Sequence, residues 1–243
     1  MEDLKEITSY HFEWKIARDL FKIPSLRLLF IQGFFGVFPW NAITYWFFTY
    51  LETERGYSAN EVLITMIIAV IVLALGYPLG GAIGDSLFKK NPRGRLIIST
   101  VGVITGAILL WITLGLPLDN QFLFLVFLSL TSLFIPFAAP NVISTVYDIT
   151  LQEVRSSAQA IQSFIESAGS ALSPLLVGII ADIYSLEDAF IIICVSTWVI
   201  CALFFAITAI RIPQDIQNLR NQMRIRAETE RKLNLISNNN EIQ

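Results

Sequence analysis

Apolar positions in this chain run in long unbroken blocks rather than in narrow stripes. Six stretches of 22 to 27 residues, at 28–51, 62–84, 96–118, 121–147, 156–181 and 189–210, carry almost no charge. Charged clusters separate them, and the only acidic or basic side chain inside any of them is Glu166. A helix rises about 1.5 Å per residue, so about 20 apolar residues cross the hydrocarbon layer of a bilayer. Each block is long enough to span, and the pattern predicts an all-α membrane protein of six transmembrane helices.

Composition agrees with that pattern. Hydrophobic residues make up 54% of the 243, charged residues 15%, and the mean hydropathy is +0.61. A bundle in lipid needs this excess because its exterior is apolar as well as its interior. The first block has 24 residues, too many for a signal-peptide core. Cys194 and Cys201 lie seven apart on the last predicted helix, about 10 Å along its axis. A disulfide needs α-carbons within about 7 Å, so both read as packing residues.

The connections alternate sides, and the basic residues divide sixteen to one between them, with Arg55 the single exception. This is a positive-inside bias. It predicts both termini in the cytoplasm, with the mostly acidic segments 52–61, 119–120 and 182–188 outside. The expected organisation is a cytoplasmic amphipathic lead over 1–25, a bundle over 26–211, and a basic tail over 212–243. Ile212, Ile216, Leu219 and Met223 share one face of the tail, the pattern of a helix lying on the inner membrane surface. Beyond Asn234 the composition reads as disordered.

The second and fifth blocks end alike. Gly81 and Asp85 recur as Gly178 and Asp182, both as G-x-x-x-D shortly after a proline (Pro78 and Pro174), offset by 97 residues. One copy exits on the basic side and the other on the acidic side, as two inverted three-helix repeats would require. The alternative is chance, given how often membrane helices use Gly and Pro.

Downstream of Asp85 come Lys89, Lys90, Arg93, Gly94 and Arg95. G-x-x-x-D followed by R-x-G-R-like residues resembles the cytoplasmic motif of the major facilitator superfamily, here with a longer turn over 86–92. Asp148, Glu153, Arg155 and Ala158 resemble the segment joining that family's tenth and eleventh helices. The family has twelve helices in two halves, so six helices resemble one half of its fold. The polar lead is similar to the family's central linker, which points to the C-terminal half. The resemblance implies alternating access, a central solute site and a gate at Gly81, Asp85, Arg93, Gly94, Arg95, Asp148, Glu153 and Arg155. Asp85 is expected to accept hydrogen bonds from the start of the fifth helix near Ser156 and Ser157, with Asp148, Glu153 and Arg155 as an ionic cluster beside it. Topology alone also accounts for the basic residues.

Glu166 lies eleven residues past Arg155, about 16 Å deep and near the midplane. A carboxyl there should meet a cavity or a partner, or carry a proton. It reads as a proton or substrate-cation site, or as a neutral hydrogen-bonded link between helices. Gln162 is one turn before it, and Ser163, Ser167 and Ala171 form a small-residue stripe suited to close packing. Pro174 should bend this helix. Gln32, Asn41 and Tyr45 are expected to share one broad face of the first helix, and the resemblance puts that helix beside the cavity. Asn141 belongs to a kinked segment of the fourth helix with Pro136, Pro140, Ser144 and Thr145.

No metal ligand set, cofactor or nucleic-acid partner is expected. His11 has no companions at ligand spacing, and neither a phosphate-cradling G-x-x-x-x-G-K loop nor a hydrolase motif occurs. The expected function is a secondary active transporter of a small solute in the plasma membrane, or half of one, and not an enzyme. It would work in the lipid bilayer as a homodimer or with a separate N-terminal half. A non-transporting scaffold or regulator is the alternative.

Overall fold

The computed structural model describes residues 18–240, so His11 and most of the lead lie outside the described residues. Eight α-helices account for six candidate spans: α1 (Pro24–Thr53), α2 (Ala59–Phe88), α3 (Gly94–Leu114), α4 (Gln121–Phe134), α5 (Ala138–Ile149), α6 (Arg155–Ile183), α7 (Leu186–Phe190) and α8 (Ser196–Asn240). The fourth span is α4 and α5 joined by one tight turn, Ile135–Phe137. Its Pro136 has no backbone donor, so one rung of the α-helical ladder is missing there. The sixth span begins with α7 and passes through a widened turn, Ile191–Val195, into α8. Five of the six blocks fall within spans, the third runs four residues past Leu114, and no strand occurs among the described residues.

Two groups of three spans exchange their first members. α1 packs against α6 and α8 of the second group, while the fourth span packs against α2 and α3 of the first. α3 and α8 close the contact between the groups. The backbone approaches closely where the second and third spans meet the fourth. On α2, Gly76, Gly80 and Gly84 recur every four residues and so share one face. A Cβ at Gly76 would stand 2.6 Å from Pro136 Cγ, and one at Gly80 would stand 2.9 Å from Phe137 Cβ. On α3, a Cβ at Gly102 would stand 2.8 Å from the same Phe137 Cβ. The tight turn of the fourth span therefore sits in a trough that side chains would fill.

The ends of the bundle are tied differently. At the end bearing Arg55, helix starts are capped by side chains: Ser58 with Glu61, Asn120, and Ser185. There Glu54 also accepts from the backbone N–H groups of Leu186 at 2.6 Å and Glu187 at 3.1 Å. Arg55, 5% exposed, donates to the carbonyls of Leu116 at 3.2 Å and Pro117 at 2.9 Å. Its guanidinium lies 4.0 Å from the Phe124 ring centre. At the opposite end α1 borrows its cap, since the Ser25 N–H donates to Asp215 of α8 at 3.0 Å.

The tail differs from the sequence expectation. α8 runs without a break for 45 residues, from Ser196 to Asn240, so the tail continues the sixth span rather than forming a separate surface helix or ending its order at Asn234. Ile212 and Ile216 are buried against the bundle, and Met223 is exposed. At about 1.5 Å per residue the helix is roughly 68 Å long, about twice the hydrocarbon thickness.

Candidate functional site

The fifth span, α6, lays Ala158, Gln162, Gly169, Ser173 and Val177 into the bundle. A Cβ at Gly169 would stand 2.9 Å from Val37 Cγ2, so only glycine lets α1 and α6 meet there. Polar ties then fix the seam. Asn41 donates to the Val37 carbonyl at 2.8 Å and to Ser170 Oγ at 3.0 Å. Ser173 Oγ donates to the Phe38 carbonyl at 2.7 Å, and Trp46 Nε1 donates to the Pro174 carbonyl at 3.0 Å. α6 continues through Pro174 as one helix.

Glu166 occupies this seam, half-buried, opposite Gly33 of α1. A Cβ at Gly33 would stand 3.2 Å from Glu166 Oε1 and 3.7 Å from Gln162 Cγ, so the glycine makes room for both side chains. Gln162 Nε2 donates to Glu166 Oε1 at 2.8 Å. Gln162 is 4% exposed and its Oε1 has no hydrogen-bond partner. No cationic side chain pairs with Glu166 among the described residues. The arrangement is a carboxyl and an amide on one helix face, near the middle of α6, with acceptor capacity to spare.

The other polar candidates do not converge on it. Gln32 and Asn41 are nine residues apart, which is two and a half turns, so they point to opposite sides of α1. Their expected common face is thereby corrected. Gln32 is buried against α8, where its amide lies 3.6 Å from Cys201 Sγ. Tyr45 is 66% exposed. Asn141 is buried in the glycine trough, donating to the carbonyls of Gly80 at 2.9 Å and Phe137 at 2.8 Å. The stripe of Ser163, Ser167 and Ala171 is exposed, and packing runs through Gln162, Gly169 and Ser173 instead.

The residues of the basic loop form a second site. Arg95, in the first turn of α3, donates to Asp85 Oδ1 through Nε at 2.9 Å and Nη2 at 2.7 Å. Its Nη1 pairs with Asp148 Oδ2 at the end of α5. The guanidinium also lies 4.0 Å from the Phe88 ring centre. One side chain thus ties the ends of the second and fourth spans to the start of the third. The expected cap of α6 by Asp85 does not form, and α6 has no side-chain cap. A guanidinium one tight turn away takes the carboxylate, because a charged pair outcompetes neutral N–H donors. Nor do Asp148, Glu153 and Arg155 form one cluster. Glu153 pairs with Arg226 of α8 at 3.2 Å, and Arg155 donates to the Tyr147 carbonyl at 3.1 Å. Arg93 is exposed, and Gly94 is buried where a Cβ would stand 2.5 Å from Phe88 N. Gly81 is the loosest of the motif's positions: its Cβ would meet Pro140 at 3.5 Å, an ordinary contact. At Asp182, the counterpart of Asp85 in the suspected repeat, no ion pair occurs among the described residues.

Sequence reasoning missed a cavity of about 520 Å³ on the other flank of α1. Trp40, Phe48, Met66, Ile67, Ser132 and Trp198 are among its lining residues. Nothing in the pattern marks it, since apolar side chains facing a cavity and facing lipid read alike. The glycine trough was legible, in the four-residue spacing of Gly76, Gly80 and Gly84.

No group of three or more His, Cys, Asp or Glu side chains converges among the described residues. A search of curated proteins finds no match. The sequence profile described as Major Facilitator Superfamily matches residues 94–239. With well over half of the chain inside that match and six apolar spans in the bundle, the protein is an integral, multi-pass membrane protein of transporter type, not an enzyme, and it belongs to the major facilitator superfamily.

Proposed function

We propose that the chain is one six-helix half, the C-terminal one, of a secondary active transporter that moves a small solute by alternating access. In this reading it lies in the plasma membrane with both termini cytoplasmic, and it completes its cavity by pairing with a second copy or with an N-terminal half. The exchange of first spans between the two three-helix groups supports an inverted repeat. The observation that carries the reading is Glu166, a mid-membrane carboxyl on the α1–α6 seam with an amide partner and no cation. Such a group is retained for function far more often than for stability. It would take up and release a proton as the seam is exposed to one side and then the other. Arg95, bridging Asp85 and Asp148, would hold the cytoplasmic side closed.

The test is uptake of a panel of labelled sugars, amino acids, amines and carboxylates into proteoliposomes under an imposed proton gradient. Glu166→Gln should abolish the gradient's effect on flux while assembly, read by size-exclusion chromatography, is unchanged. Undiminished gradient-driven flux in that variant would remove the proton role. Flux of no solute by a well-folded protein would favour a scaffold or regulator.

A further inference from the structure

Among the described residues one acid is buried, Asp215 of α8, at 7% exposed. It stands five residues past the apolar block that ends at Ile210, about 7.5 Å beyond it along the helix. Its Oδ2 accepts from the Ser25 N–H at 3.0 Å, and the dipole at the start of α1 attracts an anion to that place. Its Oδ1 has no donor among the described residues, and no cationic side chain there pairs with it. Buried charges are normally paired. Asp215 lines a pocket of about 580 Å³ at the Arg95 end of the bundle, between the start of α1, the connection from α5 to α6, and α8. Positions 215, 219, 222 and 226 recur at three- and four-residue spacing, so Asp215, Leu219, Gln222 and Arg226 face the pocket in one row. Leu20 and Ile149, both buried, give it an apolar floor. The two cations in the lining already have partners, Lys22 with Asp19 at 2.7 Å and Arg226 with Glu153 at 3.2 Å. The charge without a partner is the buried negative one.

We propose that this pocket binds an organic amine, with its ammonium on Asp215 Oδ1 and its apolar body along Leu20, Ile149 and Leu219. An ammonium offers three donors to a carboxylate and its neighbours, and a charge-assisted hydrogen bond gains strength where the acceptor is withdrawn from water. The floor calls for an apolar body, which a bare ion lacks. The volume lies within the range of small-molecule sites, which are mostly apolar with a few placed polar groups. One ligand there would touch the start of the first span, the connection between the fourth and fifth, and the sixth, and so hold the three together. The site lies apart from the α1–α6 seam and depends neither on Glu166 nor on the transporter reading.

The experiment uses the full chain in detergent, with thermal unfolding followed as phenethylamine is added. Phenethyl alcohol and 3-phenylpropionate serve as controls, since they carry the same ring without a positive charge. Binding to the folded state raises the midpoint in a saturable way. A saturable rise with the amine, and with neither control, supports the site. Asp215→Asn should weaken the apparent affinity about tenfold or more, as loss of a charge-assisted contact does. Asn caps a helix as well as Asp does, so this variant keeps the start of α1 and removes only the charge. Leu219→Gln, on the same wall, should weaken binding about threefold or more by taking away apolar contact. A control at the Arg55 end, Asp182→Asn, should respond like the wild type. No saturable rise with the amine, an equal rise with the alcohol, or an affinity unaltered in either Asp215→Asn or Leu219→Gln overturns the proposal.

Discussion

Arg95 offers the sharpest test of how the loop motif works. Its side chain is 14% exposed, that of Asp148 is 26% exposed and that of Asp85 is 55% exposed. The two pairs are therefore unequal. An exposed ion pair is worth about 0–1 kcal/mol after screening and side-chain entropy. A half-buried one, broken by removing a single partner, costs about 1.5–3 kcal/mol, much of it from the carboxylate left without a counter-charge. Arg95→Met keeps the aliphatic packing on Phe88 and removes both pairs, for an expected loss of about 2–4 kcal/mol. Asp85→Asn should cost under about 1 kcal/mol. Asp148→Asn in the Arg95→Met background should recover part of the loss, because no unpaired carboxylate then remains. Unfolding by SDS in mixed micelles reads these free energies as a double-mutant cycle. A coupling between Arg95 and Asp85 as large as that between Arg95 and Asp148 would refute this ordering. So would an Arg95→Met variant as stable as the wild type.

Three further outcomes follow from the packing and the helix ends. Gly84→Ala should destabilise by about 2–4 kcal/mol, since its Cβ would displace the Asn141 amide from two carbonyls, whereas Gly81→Ala, facing Pro140 at 3.5 Å, should be nearly neutral; SDS unfolding compares them. Arg55→Lys should lose about 1–3 kcal/mol by the same measurement, because a point charge cannot span the Leu116 and Pro117 carbonyls as a planar fork does. Asp215→Ala should cost about 1 kcal/mol and speed amide hydrogen exchange at Ser25, where the start of α1 loses its borrowed cap.

The spans were legible because their signal is block length, which survives any arrangement of the bundle. Glu166 was legible for the same reason, as the one charge inside a block. Its pairing with Gln162 followed from four-residue spacing, which fixes neighbours on a helix. The face shared by Gln32, Asn41 and Tyr45 failed on that same geometry: a helix turns about 100° per residue, so nine residues reverse the direction. Asp85 and Arg95 are ten apart, yet a tight turn brings them together, and a sequence shows the turn but not which carboxylate takes the cation. The partner role of Asp148 depends on α5 meeting α3, a tertiary fact. The glycine trough shows the opposite case, a period of four in plain view that the more familiar Gly81 and Asp85 pattern overshadowed. Gly81 turns out to have room for a methyl group, while Gly76, Gly80 and Gly84 carry the close approach.

The two ends of the bundle are held by different chemistry, and the difference has a direction. At the Arg55 end, Glu54 and Arg55 bind backbone groups of the sixth span and of the connection after the third. Separating those elements would strand a buried guanidinium and expose helix ends, each costing about 1–3 kcal/mol or more. At the Arg95 end ion pairs between side chains, Asp85 and Asp148 with Arg95 and Glu153 with Arg226, stand beside two ties to backbone groups, Ser25 to Asp215 and Arg155 to Tyr147. When an exposed pair such as Glu153 and Arg226 parts, water takes both charges, and the net loss is about 0–1 kcal/mol. The Arg95 end should therefore be the more sensitive of the two to salt, which screens ion pairs and leaves hydrogen bonds to backbone groups largely unchanged. Between them lies the α1–α6 seam, where Asn41, Ser173 and Trp46 bind backbone or hydroxyl oxygen on the Arg55 side of Glu166. On the other side, Gln159 and Gln162 keep acceptors without donors. The seam is thus tied by hydrogen bonds on the Arg55 side of Glu166 and keeps spare acceptors on the Arg95 side.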